Sequence, residues 1–285
     1  MTRLSYAPLT VEDFGRQLLT SQDLDPIYVA LFAMNLDPIT LRRWLLAYWC
    51  CYDAGVSCYI ADNQDSAEFW SRMGKMALNS EPSPLGGRWR RAAERRHWRG
   101  RNASRSLADL ANHYGAEPER MADFCAHGEE IPAEVKSVTC ASVMARARIH
   151  EGFGPWIAFK IADMCERVLS VPVSFDAAEV FMFKDPVKAA LMVYDSWPGA
   201  PVETSKHDRV AWVVDHLTKA FRDIPAPPGW DRPVGLQEVE TVLCKWKSHV
   251  NGHYPLLNDL TEIRHYTLPW VKHSKLAARF VGALP

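Results

Sequence analysis

Long apolar runs are missing from this sequence, and without them a chain does not cross a membrane. No stretch approaches the roughly 20 consecutive apolar residues that a transmembrane helix needs. The opening residues MTRLSYAPLT also lack the basic segment followed by an apolar segment that marks a secretory signal. We therefore expect a protein that stays in the cytoplasm.

Cysteine pairs with metal-binding spacing are also missing. The chain has 7 cysteines, an odd number, and no two of them form a Cys-x-x-Cys pair. Cys50, Cys51 and Cys58 lie in an apolar segment, where a reduced thiol behaves as a small apolar side chain. We expect no disulfide framework, no iron–sulfur or zinc site, and no cofactor.

Net positive charge is concentrated in one segment of the chain. The formal net charge is −1, yet residues 88–105 contain eight arginines and one glutamate. A chain that is otherwise acidic and gathers arginine in one place is suited to bind phosphate there, whereas a general polyanion binder is basic throughout. The alternative is a solvated helical face.

The alternating pattern of β-strands is nearly absent, and helical signals dominate. Three helix starts are marked by capping residues: Thr10 with Asp13, Asp37 before Pro38, and Ser106 with Asp109. Ile39–Ile60 is predicted to form one long, mostly buried helix. At 285 residues the sequence predicts an all-α protein made of a single helical unit over 1–285, or of two closely packed lobes.

A Gly-x-Gly segment predicts a tight turn between two helices. Gly152, Phe153 and Gly154 precede Pro155, which suits the first position of a helix, and an apolar stripe follows at Ile157, Ile161 and Met164. In helix-hairpin-helix proteins such glycines let backbone N–H groups approach a DNA phosphate. Gly152, Phe153, Gly154 and Trp156 are therefore candidate DNA-binding residues, although many plain turns share this pattern.

Beyond the second helix the chain reaches a single carboxylate, Asp176. In this order the segment resembles the helix-hairpin-helix DNA glycosylase superfamily, in which an aspartate at the corresponding place sits at the extruded base. The resemblance implies a glycosylase-like all-α fold with its hairpin at about 140–176 and a catalytic role for Asp176. An N-cap role for Asp176 is equally reasonable. Trp156 occupies the position of the lysine found in bifunctional glycosylases, which disfavours lyase chemistry.

Three further blocks accompany the hairpin. They are ALFAMN with WLLAYWCCY (30–35 and 44–52), ERRHWRG (94–100), and LCKWKSH (243–249) ending in GHYP. Together with GFGPWIAFK they resemble the phage amino acid:DNA transferases, also called α-glutamyl/putrescinyl thymidine pyrophosphorylases, over roughly residues 20 to 270. The resemblance implies an enzyme that displaces pyrophosphate from modified thymine in double-stranded phage DNA. A free amino acid or polyamine would then be joined to the exposed 5-methylene.

The residues suit that chemistry, because a departing pyrophosphate needs cationic groups around it. The candidate phosphate-binding and pyrophosphate-binding residues are Arg90, Arg91, Arg95, Arg96, Lys247 and His249, and further DNA contacts are expected from Arg88 and Arg99. The arginines are expected on or beside one helix, where side chains four residues apart share a face. His97, Asp176 and Lys245 are the candidate catalytic residues. His97 would protonate the departing oxygen or donate a hydrogen bond to it, although a partner of Glu94 or a helix cap is an equally good interpretation. Asp176 would take the proton of the amine or hold the edge of the pyrimidine.

Other interpretations remain open at this level. A cysteine thiol can add to the pyrimidine ring, and Trp156 or Phe153 can wedge into the gap left by a flipped base. The chain can also be a monofunctional glycosylase that uses Asp176, or a helical DNA-binding protein without catalytic activity. A free base with an abasic site, or salt-sensitive binding without product, would identify these two alternatives.

Overall fold

The computed structural model describes residues 7–63, 65–129, 137–175, 183–202 and 205–285. Within these residues the fold is all-α, as predicted. The helices are α1 (Val11–Thr20), α2 (Pro26–Met34), α3 (Pro38–Cys51), α4 (Ala54–Ala61), α5 (Ser66–Leu78), α6 (Gly100–Tyr114), α7 (Arg120–His127), α8 (Cys140–Ala147), α9 (Pro155–Arg167), α10 (Lys184–Ser196), α11 (Lys206–Ala220), α12 (Leu236–Val250), α13 (Asn258–Thr267) and α14 (Lys275–Ala283). Two short strands, β1 (Val138–Thr139) and β2 (Val173–Ser174), pair in parallel. No helix in the described ranges has the length and apolar character needed to span a bilayer.

Two of the three predicted helix caps are confirmed, and the third is wrong. The Thr10 side chain accepts the N–H of Asp13, and Asp37 accepts the N–H of Thr40 directly before Pro38. Ser106 instead lies inside α6, which begins at Gly100. Its hydroxyl accepts the indole N–H of Trp98 at 2.9 Å, so a tertiary contact replaces the expected cap.

The single long helix predicted over Ile39–Ile60 is also wrong, because the chain breaks between α3 and α4. Tyr52 adopts a left-handed conformation with φ +55°, and Asp53 starts the next helix by accepting the N–H of Val56 at 2.9 Å. The Tyr52 ring packs on Tyr48, 4.4 Å between centroids. Both helices are buried around most of their circumference, so apolar residues continue through the break. The apolar pattern therefore does not show where one helix ends and the next begins.

The chain divides into two compact units. The first unit comprises Met1–Val29 and Phe175–Thr261, together with Pro285. Its core gathers apolar side chains of α1, α10, α11 and α12. Phe14 of α1 is fully buried and stacks on His249 of α12, with 4.5 Å between ring centroids.

The second unit comprises Ala30–Ser174 and Glu262–Leu284. Its core is rich in large aromatic side chains. Trp44 stacks on Phe280 at 5.8 Å, and the Trp49 indole N–H points to the Met164 sulfur at 3.3 Å. Burying such rings stabilises the fold and fixes the frame that carries the arginine-rich segment.

The arginine-rich segment is not the helix that the sequence predicts. Between Arg88 and Arg99 the structure has only a 3-10 turn at Ala93–Arg95, and α6 begins at Gly100. Backbone donors in this segment are held by distant partners: the Trp89 N–H donates to the Asn79 side chain and the Ala92 N–H to the Cys51 carbonyl. The six arginines from Arg88 to Arg99 therefore do not share one helical face, whereas Arg101 and Arg105 lie in α6.

Candidate active site

The hairpin has the helix–turn–helix order that the sequence predicts, with α8 and α9 joined through Gly152 and Gly154. Gly152 has φ +84°, a conformation that favours glycine. A β-carbon at Gly152 would lie 3.2 Å from the Ser106 hydroxyl and 3.3 Å from Trp98 Cδ1. The turn thus packs closely against the residues around the start of α6, which no local sequence pattern shows.

This contact forms a cleft of about 240 Å³, which we call the arginine cleft. It is lined by Glu94, Arg95, His97, Trp98, Asn102, Arg105, Glu151 and Gly152. The structure therefore brings three predicted site residues, Arg95, His97 and Gly152, together in the second unit. They come from two parts of the chain more than fifty residues apart.

Arg95 is the buried cation of the arginine cleft. Only 7% of its surface is exposed, and its hydrogen bonds go to two backbone carbonyls, those of Cys50 at 3.1 Å and Gly152 at 3.0 Å. Its third nitrogen, Nη2, is buried and has no hydrogen-bond partner among the described residues. Burial lowers the pKa of the Arg95 guanidinium, because water that would stabilise the charge is excluded. Such a group is suited to receive an anion.

The other polar residues of the cleft are more exposed. Arg105 pairs with Glu151 at 2.7 Å, and both side chains are about half exposed to solvent. His97 is exposed, and its carbonyl accepts the Arg99 N–H at 3.0 Å. A ligand can therefore reach His97 from solvent, which an acid at a leaving group requires.

Arg90 and Arg91, both predicted to bind phosphate, hold the fold together in this structure. The Arg90 guanidinium lies 3.2 Å from the centre of the Tyr266 ring and pairs with Asp53. Arg91 donates to the carbonyls of Met76 and Ala77 in the last turn of α5, which a helix end otherwise leaves unpaired. Burial raises the pKa of Asp53, although Arg90 acts in the opposite direction.

The remaining arginines predicted to bind DNA or phosphate face solvent. Arg88, Arg96 and Arg99 are all exposed, and Arg96 donates to the nearby Ala93 carbonyl at 3.1 Å. The sequence alone does not distinguish arginines that bind the DNA backbone from arginines that bind pyrophosphate. The structure separates the buried Arg95 and the half-buried Arg90 and Arg91, which contact the rest of the protein, from an exposed group that can meet a polyanion.

The two predicted wedge residues differ in accessibility. Phe153 is 3% exposed, and the Arg95 guanidinium carbon lies 5.4 Å from its ring centre. Trp156 is half-buried and meets the edge of Tyr52 at 4.9 Å. Phe153 thus supports the cleft from inside, and Trp156 is the more accessible of the two rings. Apart from its two chain neighbours, no atom of the described residues lies within 4 Å of a β-carbon added at Gly154.

The predicted Lys245, Lys247 and His249 lie on α12 of the first unit, each with protein partners. Lys245 pairs with Asp259 at 2.7 Å, and Lys247 pairs with Asp185 at 2.7 Å. His249 is 3% exposed: its Nε2 accepts the Leu9 N–H at 3.1 Å and its Nδ1 lies 2.8 Å from the Tyr254 carbonyl. One nitrogen accepts and the other donates, so His249 has a structural role here.

The thiols are poorly placed for nucleophilic attack. Cys50, Cys51 and Cys165 are fully buried. Burial raises the pKa of all three thiols, that of Cys51 to about 12, so the reactive thiolate is disfavoured. Asp176 lies outside the described residues, and its catalytic role stays a prediction.

Sequence reasoning missed several residues of the arginine cleft. Trp98, Asn102, Arg105 and Glu151 were not assigned to the site. Glu151 directly precedes Gly152, and both residues line the cleft. Trp98 directly follows His97, and Arg105 ends the arginine-rich segment, so closeness in sequence was the available signal for these residues. The contacts between the two parts of the chain left no local signal.

Comparison with known proteins adds an independent finding. A profile of the family described as amino acid:DNA transferase matches residues 19–254. The chain is 47% identical over 294 residues to a glycinyltransferase of Pseudomonas phage PaMx11, covering 99% of this chain and 98% of that protein. It is 22% identical over 252 residues to a putrescinyltransferase of Delftia phage PhiW-14, covering 84% of this chain and 72% of that protein.

Proposed function

We propose that this chain, which belongs to the amino acid:DNA transferase family and is a transferase acting on DNA, joins glycine to a modified thymine. The family is described as amino acid:DNA transferase, and the two relatives are a glycinyltransferase and a putrescinyltransferase of phages, which supports attachment of an amine to phage DNA. The substrate we propose is double-stranded phage DNA that carries 5-(pyrophosphoryloxymethyl)uracil, with free glycine as the second substrate.

The proposed reaction is a substitution at the 5-methylene carbon. The nitrogen lone pair of neutral glycine forms a new C–N bond there, and the C–O bond to pyrophosphate breaks. Pyrophosphate leaves with the bonding electron pair, and the amine nitrogen gives up one proton to a base. Asp176 is our candidate for that base, and His97 is our candidate for stabilising the departing oxygen.

The observation that carries the proposal is the environment of Arg95. A multiply charged leaving group is stabilised best by a fixed donor in a site from which water is excluded. Arg95 is buried, is anchored by two carbonyls, and keeps one guanidinium nitrogen without a partner among the described residues. It lines the same cleft as His97, so a pyrophosphate bound there would meet both.

Two features support binding of the DNA backbone beside this cleft. Arg88, Arg96 and Arg99 are exposed and can contact phosphates without loss of a buried ion pair. Gly154 precedes α9, whose first turn has no side-chain cap, and the described residues leave open space where a β-carbon would stand. A glycine there admits a phosphate to the N–H groups of the helix start.

Glycine as the amine rests on the relative from phage PaMx11, which is similar to this chain along nearly its whole length. The putrescinyltransferase is much more distant. A choice between these amines is a choice between a small zwitterion and a long dication, and the two need different pockets. A relative that matches along the whole chain is the better guide to the pocket.

The test uses a duplex that carries 5-(pyrophosphoryloxymethyl)uracil, incubated separately with glycine, glutamate and putrescine. We expect nucleoside mass analysis to show the glycine adduct, with one pyrophosphate released for each modified base. An adduct with putrescine alone would contradict the choice of glycine. Free base with abasic sites would instead indicate a glycosylase, and binding without product would indicate a non-catalytic DNA-binding protein.

Variants test the proposed roles. We expect Arg95→Gln to lower turnover by about 100-fold, because one fixed donor to the leaving group is lost. Arg222→Gln is the matched control, since its side chain is 79% exposed. Asp176→Asn should keep DNA affinity and lose turnover.

The buried Arg95 also supports the fold, so melting temperatures are measured for each variant. If Arg95→Gln fails to fold, His97→Ala tests the same cleft from an exposed position. Full turnover in a folded Arg95→Gln variant, or in His97→Ala after an Arg95 failure, would remove the cleft from the mechanism.

A further inference from the structure

A second group of side chains converges near the hairpin turn. Asp109 and His113 lie four residues apart on α6, and His150 is the first residue of the turn. One ligand atom from each of the three lies within 4.8 Å of the others. The function proposed above uses none of the three.

We propose that Asp109, His113 and His150 bind one divalent transition-metal ion of the zinc type. Two imidazoles and one carboxylate are the donor set that such ions accept in proteins. The Asp109 Oδ2 and His150 Nδ1 atoms are 3.3 Å apart. Ligand atoms at tetrahedral angles, with bonds of about 2.0–2.1 Å, stand roughly that far apart.

Neighbouring groups orient the ligands as metal sites require. The Nε2 atom of His150 lies 3.0 Å from the Tyr114 hydroxyl, so a proton on that nitrogen leaves the Nδ1 lone pair facing Asp109. The Nδ1 atom of His113 lies 3.6 Å from Asp109 Oδ1 and 2.8 Å from the Asp109 carbonyl oxygen, so the ring is held beside the carboxylate. The Glu151 N–H donates to Asp109 Oδ2 at 3.2 Å and fixes the carboxylate.

Access to the group is open from solvent. The His113 side chain is 53% exposed, whereas that of His150 is fully buried. A cavity of about 220 Å³ adjoins the group and is lined in part by His113, Tyr114 and Glu129. An ion can therefore enter from this side and keep a water molecule as its remaining ligand.

The bound ion would stiffen the arginine cleft rather than take part in transfer. Asp109 and His113 belong to α6, whose Ser106 packs against Gly152, and His150 begins the turn that contains Gly152. A metal ion shared by the two elements would therefore fix Glu151 and Gly152 in the wall of the cleft.

The test is metal titration of the whole protein after removal of metals with a chelator. We expect one equivalent of Zn²⁺ to bind in competition with a chromophoric chelator, and Co²⁺ to give the absorption bands of a tetrahedral site. Mg²⁺ should not compete. We expect His113→Gln to weaken Zn²⁺ binding by at least about 100-fold, because a direct ligand is lost. Asp109→Asn should weaken it as well.

His265→Gln is the matched control, because His265 is also exposed and helical in the second unit. Its Zn²⁺ affinity should equal that of the unchanged protein. His113→Gln removes an exposed side chain and keeps the test valid even if Asp109→Asn does not fold. The proposal is overturned if no stoichiometric Zn²⁺ binding occurs, or if His113→Gln binds Zn²⁺ as tightly as the control.

Discussion

Burial determines what each reactive side chain can do in this protein. Arg95 and Cys50 are neighbours, since the Arg95 Nε–H donates to the Cys50 carbonyl. Both side chains are buried, yet the consequences differ. An arginine keeps its charge in a buried site and becomes a strong anion binder, whereas a thiol there is held in its unreactive neutral form.

The thiols provide a test at the residue scale. We expect Cys51→Ser to keep full turnover, because burial raises the pKa of the Cys51 thiol to about 12 and disfavours the thiolate. A serine hydroxyl at this position has partners in Ser57 and the Asp53 carbonyl. Iodoacetamide should label the half-buried Cys244 before Cys51 in the folded protein. Loss of turnover in a correctly folded Cys51→Ser variant would instead favour thiol addition to the pyrimidine.

At the scale of the elements, close helix packing depends on small residues at defined places. Gly55 of α4 faces Trp270, and a β-carbon there would lie 2.2 Å from Trp270 Cδ1. Gly74 of α5 has no such neighbour, because its nearest contact would be Leu107 Cδ2 at 3.9 Å. The two glycines look alike in sequence and differ only in what lies opposite them.

This difference predicts opposite effects of alanine. We expect Gly55→Ala to lower the free energy of unfolding by about 1–3 kcal/mol, since the large indole must shift. Gly74→Ala should raise it by roughly 0.5–1 kcal/mol, because alanine is the better helix former and meets no obstacle. Urea unfolding of both variants checks this. Equal effects would show that Trp270 does not pack on α4 as described.

At the scale of the whole molecule, the first unit is built from two stretches separated by the second unit in sequence. One core is shared by Met1–Val29 and Phe175–Thr261. The apolar face of α1 therefore cannot be buried until α10, α11 and α12 have formed. Contacts between such distant segments cost loop-closure entropy and form late in folding.

Phe14 tests this organisation. We expect Phe14→Ala to destabilise by about 3–5 kcal/mol, because a fully buried ring stacked on His249 is lost. Amide hydrogen exchange, measured by mass spectrometry, should accelerate most in α10, α11 and α12, with a smaller change in α3 and α4. A uniform increase along the whole chain would instead show that the two units unfold together.

Local signals in the sequence determined the all-α class, the caps at Thr10 and Asp37, the order of helix, turn and helix at the hairpin, and the family. These features depend on short-range hydrophobic periodicity, on hydrogen bonds between a side chain and the backbone within one helical turn, and on motifs formed by consecutive residues. The same signals failed at Tyr52, where two buried helices look continuous, and they did not show that the Arg91 guanidinium contacts the end of α5.

The tertiary structure alone decided which arginine is buried, which glycine touches Trp98, and which histidines meet Asp109. Each of these outcomes depends on residues far apart in the chain. Burial and partner choice are properties of the packed molecule, because the removal of water around a side chain is set by whatever folds over it. The sequence provides the reactive groups, and packing determines which of them face a substrate.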